Sequence, residues 1–121
     1  MKMTNKQMAE SVEALSSVKE SGKLGYAIAR NRRKIEHEVV EYAKVKQSAI
    51  EKYGDFNEAS GTYNIVGDNY RKYMAELAQY DNIETEVDVM HVSLDEFLSG
   101  SLDSGQMYAL DWMVDYNEKS E

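Results

Sequence analysis

Lys23 to Tyr53 reads KLGYAIARNRRKIEHEVVEYAKVKQSAIEKY. Within it Leu24, Ile28, Ile35, Val39, Tyr42, Ala49 and Tyr53 recur at steps that fall on one stripe of a single helix. No Pro interrupts the stretch, so it predicts a rod of roughly 45 Å at the usual rise per residue, long enough to span a small domain. Arg32 and Lys46 stand where a strict heptad seam would place apolar side chains. The spacing therefore predicts a helix packed on its own chain rather than a long homodimeric coiled coil.

Upstream, Thr4 followed by Gln7 is a capping-box pattern, and Met8, Val12, Leu15 and Val18 repeat at three- and four-residue steps. This predicts a first helix from Asn5 to Lys19, ended by Ser21 and Gly22. The short break before Lys23 suits antiparallel neighbours, so the two helices form an αα-hairpin. Downstream, Gly54 is expected to close the long helix in the left-handed conformation. Asp55 to Gly61 then reads as loop, Thr62 to Val66 as a short strand, and Asp68 as the cap of a third helix with a face of Tyr70, Tyr73, Met74 and Leu77.

From Ile83 to Val92 the period drops to two, with Ile83, Thr85, Val87 and Val89 on one side and Glu84, Glu86 and Asp88 on the other. The two strands are free to pair with each other or with a partner's edge. Ser93 with Glu96 is a second capping-box pattern, opening a helical turn to Leu98. Met107, Leu110, Met113 and Val114 mark a last helix, with Trp112 at its side and Asn117 to Glu121 as a fraying tail. The fold class is α+β, mostly helical. An antiparallel αα-hairpin with a long second helix covers residues 1–54, and a small two-stranded and helical acidic subdomain over residues 55–121 packs on it as one folding unit.

The 121 residues bound the chain to one modest core. Nine Tyr against two Phe and one Trp supply aromatic surface whose hydroxyls need partners. The absence of Cys excludes disulfides, thiolate metal sites and Cys nucleophiles. No apolar run suits a signal or a membrane span, so a cytoplasmic site of action and no membrane partner are expected.

The net charge of −8 hides a division: through Gly54 there are eleven Lys and Arg against seven Asp and Glu, and beyond it three against fifteen. One half carries +4 and the other −12. A chain divided in this way steers partners by its field.

Four clusters are candidate sites. Glu36, His37 and Glu38 are adjacent and point in different directions on a helix. His37 and Glu41 have i, i+4 spacing but are too few for a metal, and His91 falls on a strand far along the chain. A solvated polar face is the simpler reading, with no metal and no cofactor. Arg30, Arg32, Arg33 and Lys34 are the one basic cluster. No nucleic-acid reading motif accompanies them and the protein is acidic overall, so pairing within the chain or with a protein partner is expected ahead of direct nucleic-acid binding.

Glu84, Glu86 and Asp88, followed by Asp95 and Glu96, form an acidic surface. Carboxylates about 6.5 to 7 Å apart along a strand face match the spacing of backbone phosphates, so this surface suits the nucleic-acid channel of another protein. The competing reading is an edge strand charged against aggregation. Gly100 to Gly105 lacks the Lys and Ser/Thr of a phosphate loop, and no G-x-S-x-G elbow occurs.

The order of features carries a resemblance. Thr4-Asn5-Lys6-Gln7 opens a helix, Tyr26-Ala27-Ile28-Ala29-Arg30-Asn31 lies in the next, and Glu51-Lys52-Tyr53-Gly54 closes it. A strand follows, then Tyr70 to Leu77, the Ile83 to Val92 strand, Ser93-Leu94-Asp95-Glu96-Phe97, and Leu110-Asp111-Trp112-Met113. This is similar to a family of small uncharacterised proteins encoded by tailed phages and prophages of Gram-positive bacteria. The resemblance covers nearly the whole chain, but no motif in it is chemical, so no site residue carries over. It implies a protein that acts in the host cytoplasm by binding a host or phage protein. The expectation is a non-enzymatic inhibitor of a host enzyme or defence complex, anti-CRISPR-like, whose acidic surface blocks a nucleic-acid-handling protein. The alternative is a structural or assembly accessory acting by self-association, with homodimerisation allowed in either case.

Overall fold

A computed structural model describes residues 1–117. It begins with a strand that periodicity does not mark, β1 (Lys2–Thr4). Thr4 then caps α1 (Asn5–Ser17), its Oγ1 accepting from the Gln7 N–H at 3.0 Å. This is half of the expected box, and the helix ends two residues before Lys19. Gly22, at φ 68°, takes a backbone that disfavours other residues and turns the chain into α2 (Gly22–Tyr53). A Cβ at Gly25 would lie 2.5 Å from the Glu20 carbonyl oxygen, so glycine is what lets the connection fold tightly on the first turn.

The 32 residues of α2 make a rod of about 48 Å. Its inner face buries Leu24, Ala27, Ile28, Asn31, Ile35, Val39, Tyr42 and Ala49. The expected stripe is thus the core stripe, with Tyr53 only half-buried. Ile35 is fully buried, and truncating it to Ala is expected to cost about 2–5 kcal/mol. Met3, Met8 and Leu15 meet this face from the N-terminal side, and Val87, Val92, Phe97, Leu102, Leu110, Met113 and Val114 from the C-terminal side. The main core therefore draws on both sides of Gly54.

The long helix stops as placed, but for another reason. Gly54 has φ −96°, not a left-handed value; a Cβ there would sit 2.7 Å from the Ile50 carbonyl and 3.1 Å from the Tyr63 Cβ. The Ile50 carbonyl of the helix, with the returning segment behind it, leaves room for glycine alone. That segment corrects the expected loop: β2 (Asp55–Asn57) and β3 (Thr62–Asn64) form an antiparallel hairpin with Phe56 opposite Tyr63. The expected strand to Val66 is shortened accordingly.

The third helix, α3 (Asp68–Asp81), is entered from Gly67 at φ 60°, so Asp68 is its first residue rather than its cap. Only Tyr73 and Leu77 of the expected face are buried, in a satellite cluster with Ala49; Tyr70 and Met74 are exposed.

The expected strand from Ile83 to Val92 is also corrected. Its β4 portion (Glu84–Glu86) pairs with β1, in the register Lys2–Glu86, Met3–Thr85 and Thr4–Glu84, and residues 87–91 join no ladder. Neither of the two expected strands pairs with the other. Ile83 is exposed, His91 lies outside any strand, and β5 (Val92–Ser93) is a separate element.

Ser93 Oγ accepts from the Glu96 N–H to open α4 (Leu94–Leu98). The expected last helix is divided into α5 (Ser104–Ala109) and a 3-10 turn (Asp111–Met113), after which β6 (Val114–Asp115) runs parallel to β5. Asp103 and Gln106 form the one full capping box among the described residues. Leu110 and Met113 are fully buried, as their spacing suggests. The expected tail lies, beyond Asn117, outside the described residues.

Candidate functional site

The acidic edge is set by two anchors on α2. The fully buried Asn31 places its amide against the Met90 backbone: Nδ2 donates to Met90 O at 2.9 Å, and Oδ1 accepts from Met90 N–H at 2.7 Å. The Asn side chain does for this unpaired stretch what a neighbouring strand does in a ladder. One turn on, Lys34 Nζ donates to the Asp88 carbonyl and to its Oδ2, both at 3.0 Å. These bonds hold residues 88–90 against α2 and continue the line of β4 beyond its last ladder residue.

Side chains alternate along this line. Glu84, Glu86 and Asp88 face solvent, while Thr85 and Val89 are half-buried and Val87 is buried. The expected pattern holds over those positions. The carboxylates are not bare, however. Glu86 accepts from the Met1 ammonium at 2.8 Å, and Lys2 stands across from it in the ladder. The ammonium hydrogen bond, with its charge, holds the Glu86 carboxyl below the usual carboxylate range. Lys34 does the same to Asp88, with Arg30 adding a smaller electrostatic contribution.

The Glu86 and Asp88 side chains nevertheless remain 70% and 89% exposed. Pairs this exposed are weak, so an incoming cation can exchange into them. Among the described residues Glu84 takes part in no ion pair.

Asp95 and Glu96 belong to a different place. They lie in the first turn of α4, where Asp95 is exposed and Glu96 pairs with Lys23 at 3.2 Å. Of the basic cluster, Arg32 pairs with Glu36 at 2.8 Å along the helix and Lys34 with Asp88, while Arg30 and Arg33 are exposed. The expected pairing of the basic run with the acidic half is thus realised at one residue, Lys34. A cleft of about 420 Å³ lies between α2 and the acidic line, bordered by Arg33, Lys34, His37, Glu38, Val87 and Asp88.

Asn31 was not legible as a functional position, because a polar residue beside three cations reads as surface. Its position on the Leu24–Ile28–Ile35 side of the helix is the signal that places it inside. Among the described residues no group of three His, Asp or Glu is arranged to hold a metal ion, and no helix is long and apolar enough to cross a membrane. No protein-family model matches this chain, and no curated protein or solved structure matches it.

Proposed function

We propose that this chain is a non-catalytic, protein-binding module of phage origin that inhibits a host enzyme or defence complex. Its carboxylate edge occupies a basic channel built for nucleic acid, in the manner of an anti-CRISPR protein. The observation that carries the reading is the solvent-facing row Glu84, Glu86 and Asp88, displayed at alternate positions along β4 and its Lys34-tethered extension. Alternate residues of an extended strand repeat at about 6.5 to 7 Å, the interval between phosphates along one strand of nucleic acid. A lysine-rich channel meets these carboxylates with complementary field, which raises the association rate and sets orientation.

Co-expression in a host with active CRISPR immunity tests the proposal. The chain is expected to restore phage plating, and Glu84→Lys, Glu86→Lys and Asp88→Lys together are expected to abolish that restoration. Unchanged immunity across CRISPR types overturns the reading.

One observation favours the alternative of an assembly accessory. The β2–β3 hairpin exposes all six of its residues, with the Phe56 and Tyr63 ring centroids 5.1 Å apart, their planes tilted by 49°, and Phe56 55% exposed. A lone two-stranded ribbon gains stability from cover, and self-association supplies it. Large particles in light scattering, lost in Phe56→Ser, support that alternative over the inhibitor.

A further inference from the structure

We propose that the outward face of α2 between Lys23 and Lys44 is a second docking surface, shaped for an acidic helix of another protein. Lys23, Tyr26, Arg30, Arg33, His37, Val40 and Lys44 are all exposed and succeed one another at alternating steps of three and four. That is the interval at which one helix lies along another. The face runs for about 32 Å, on the side of the rod away from the core stripe.

Its chemistry is uniform. Four of these seven positions are Lys or Arg, one is His and none is acidic, in a chain whose net charge is −8. Tyr26 and Val40 are the apolar exceptions, 59% and 42% exposed, two heptads apart and able to seat apolar side chains of a partner. Lys23 and Lys44, at the two ends, are held by Glu96 and Glu41 in exposed pairs. Among the described residues Arg30 and Arg33, in the middle, form no ion pair. Two open guanidinium forks are the donors best suited to bidentate carboxylate contacts.

The occupant is a different chain. A second α2 laid on this face sets cations against cations in either direction. The acidic half of a second copy offers carboxylates on short strands, on helices of five and six residues, and on α3, whose 14 residues span about 21 Å, short of the face, and set Arg71 and Lys72 among Asp68, Glu76 and Asp81. A nucleic-acid backbone is disfavoured because it leaves Tyr26 and Val40, the apolar positions of the stripe, without a matching partner. An acidic helix uses both the cations and the apolar pair. The face borders the same cleft as Asp88, but substitutions at Arg30 and Arg33 leave Glu84, Glu86 and Asp88 in place, so the two proposals fail separately.

A fluorescein-labelled helical peptide of three heptads tests the proposal, with Glu facing the four cations and Leu facing Tyr26 and Val40. Fluorescence anisotropy with the full chain is expected to show saturable binding, weakened at least about tenfold by Arg30→Glu with Arg33→Glu. Tyr26→Ser weakens it severalfold, and Lys72→Glu, on α3, leaves it unchanged. All substituted residues are exposed, and circular dichroism verifies that each variant folds; Arg33→Gln replaces the double variant if that one does not. Three results overturn the proposal: absence of peptide binding, binding indifferent to Arg30 and Arg33, or a single-stranded DNA of about 20 nucleotides binding this face more tightly than the peptide.

Discussion

Asn31 and Met90 are 59 residues apart in sequence, yet they form a closed, two-way hydrogen-bond pair between a buried amide side chain and a backbone. The pair satisfies both backbone groups of a residue that belongs to no strand, and it does so inside the core. Asn31→Leu leaves the Met90 N–H and carbonyl without those partners. It is expected to destabilise the fold by about 2–4 kcal/mol, from two lost hydrogen bonds and the desolvation of the groups left behind. Urea unfolding measures the loss, and hydrogen exchange at the Met90 amide is expected to accelerate before global unfolding.

Tyr42 donates to Asp81 Oδ1 at 2.6 Å, tying α2 to the end of α3. Burial, followed by this hydrogen bond and the charge of Asp81, pushes the Tyr42 phenol well above the usual value of 10.0. A folded value raised above the unfolded one contributes stability that is complete below pH 10 and shrinks as the pH climbs beyond it. Stability is therefore expected to fall above pH 10. In Tyr42→Phe this alkaline slope is weaker, and about 1 kcal/mol is lost at neutral pH. Chemical denaturation at pH 7 and pH 11 separates the two effects.

Two glycines of the C-terminal segment are predicted to behave oppositely. A Cβ at Gly100 would meet Leu24 Cδ2 at 2.6 Å and Glu20 Oε1 at 2.9 Å, where Glu20 accepts from the Ser101 N–H. Gly100→Ala is expected to cost about 1–3 kcal/mol, because the buried Leu24 side chain must shift and the Glu20 carboxylate is pushed off the Ser101 N–H. At Gly105, inside α5, the nearest atom would lie at 3.4 Å. Gly105→Ala is expected to stabilise by about 0.4–1 kcal/mol. Thermal melting of the two variants checks the signs.

Lys34 is the cation that holds the Asp88 carboxyl down. Lys34→Gln is expected to raise the Asp88 pKa toward the ordinary 3.8, read by carboxyl NMR titration. In the wild type the contribution of this contact is present above that ordinary value. It disappears as the pH falls through the depressed folded value.

Much of this architecture was legible in the chain, and the failures share a cause. The α2 stripe, the hairpin with α1 and the burial of Leu110 and Met113 follow from periodicity, which is a local property. The β1–β4 ladder joins residues 80 to 84 positions apart, and three residues at Lys2–Thr4 carry no pattern to announce it. Gly54 ends the helix by crowding rather than by a left-handed turn: the Ile50 carbonyl of the helix itself is the nearest obstacle to a Cβ, and Tyr63 and Ile65, which no local pattern places there, close the space from the hairpin. The alternation of Glu84, Glu86 and Asp88 was plain, whereas the tethers from Asn31 and Lys34 and the cover from Met1 are tertiary. Asp95 and Glu96 read as a continuation of the row because they follow it in sequence; the turn at Ser93 puts them on α4.

We propose that the carboxylate edge competes with nucleic acid for a basic channel. It is tested most directly by titrating the chain into DNA cleavage by a purified CRISPR nuclease, chosen from the systems against which co-expression restores plating, at a series of DNA concentrations. Competition predicts that the half-inhibitory concentration rises in proportion to DNA, and that Glu84→Lys with Glu86→Lys and Asp88→Lys removes inhibition while leaving the fold intact. Inhibition independent of DNA concentration, or undiminished in that triple variant, contradicts the account.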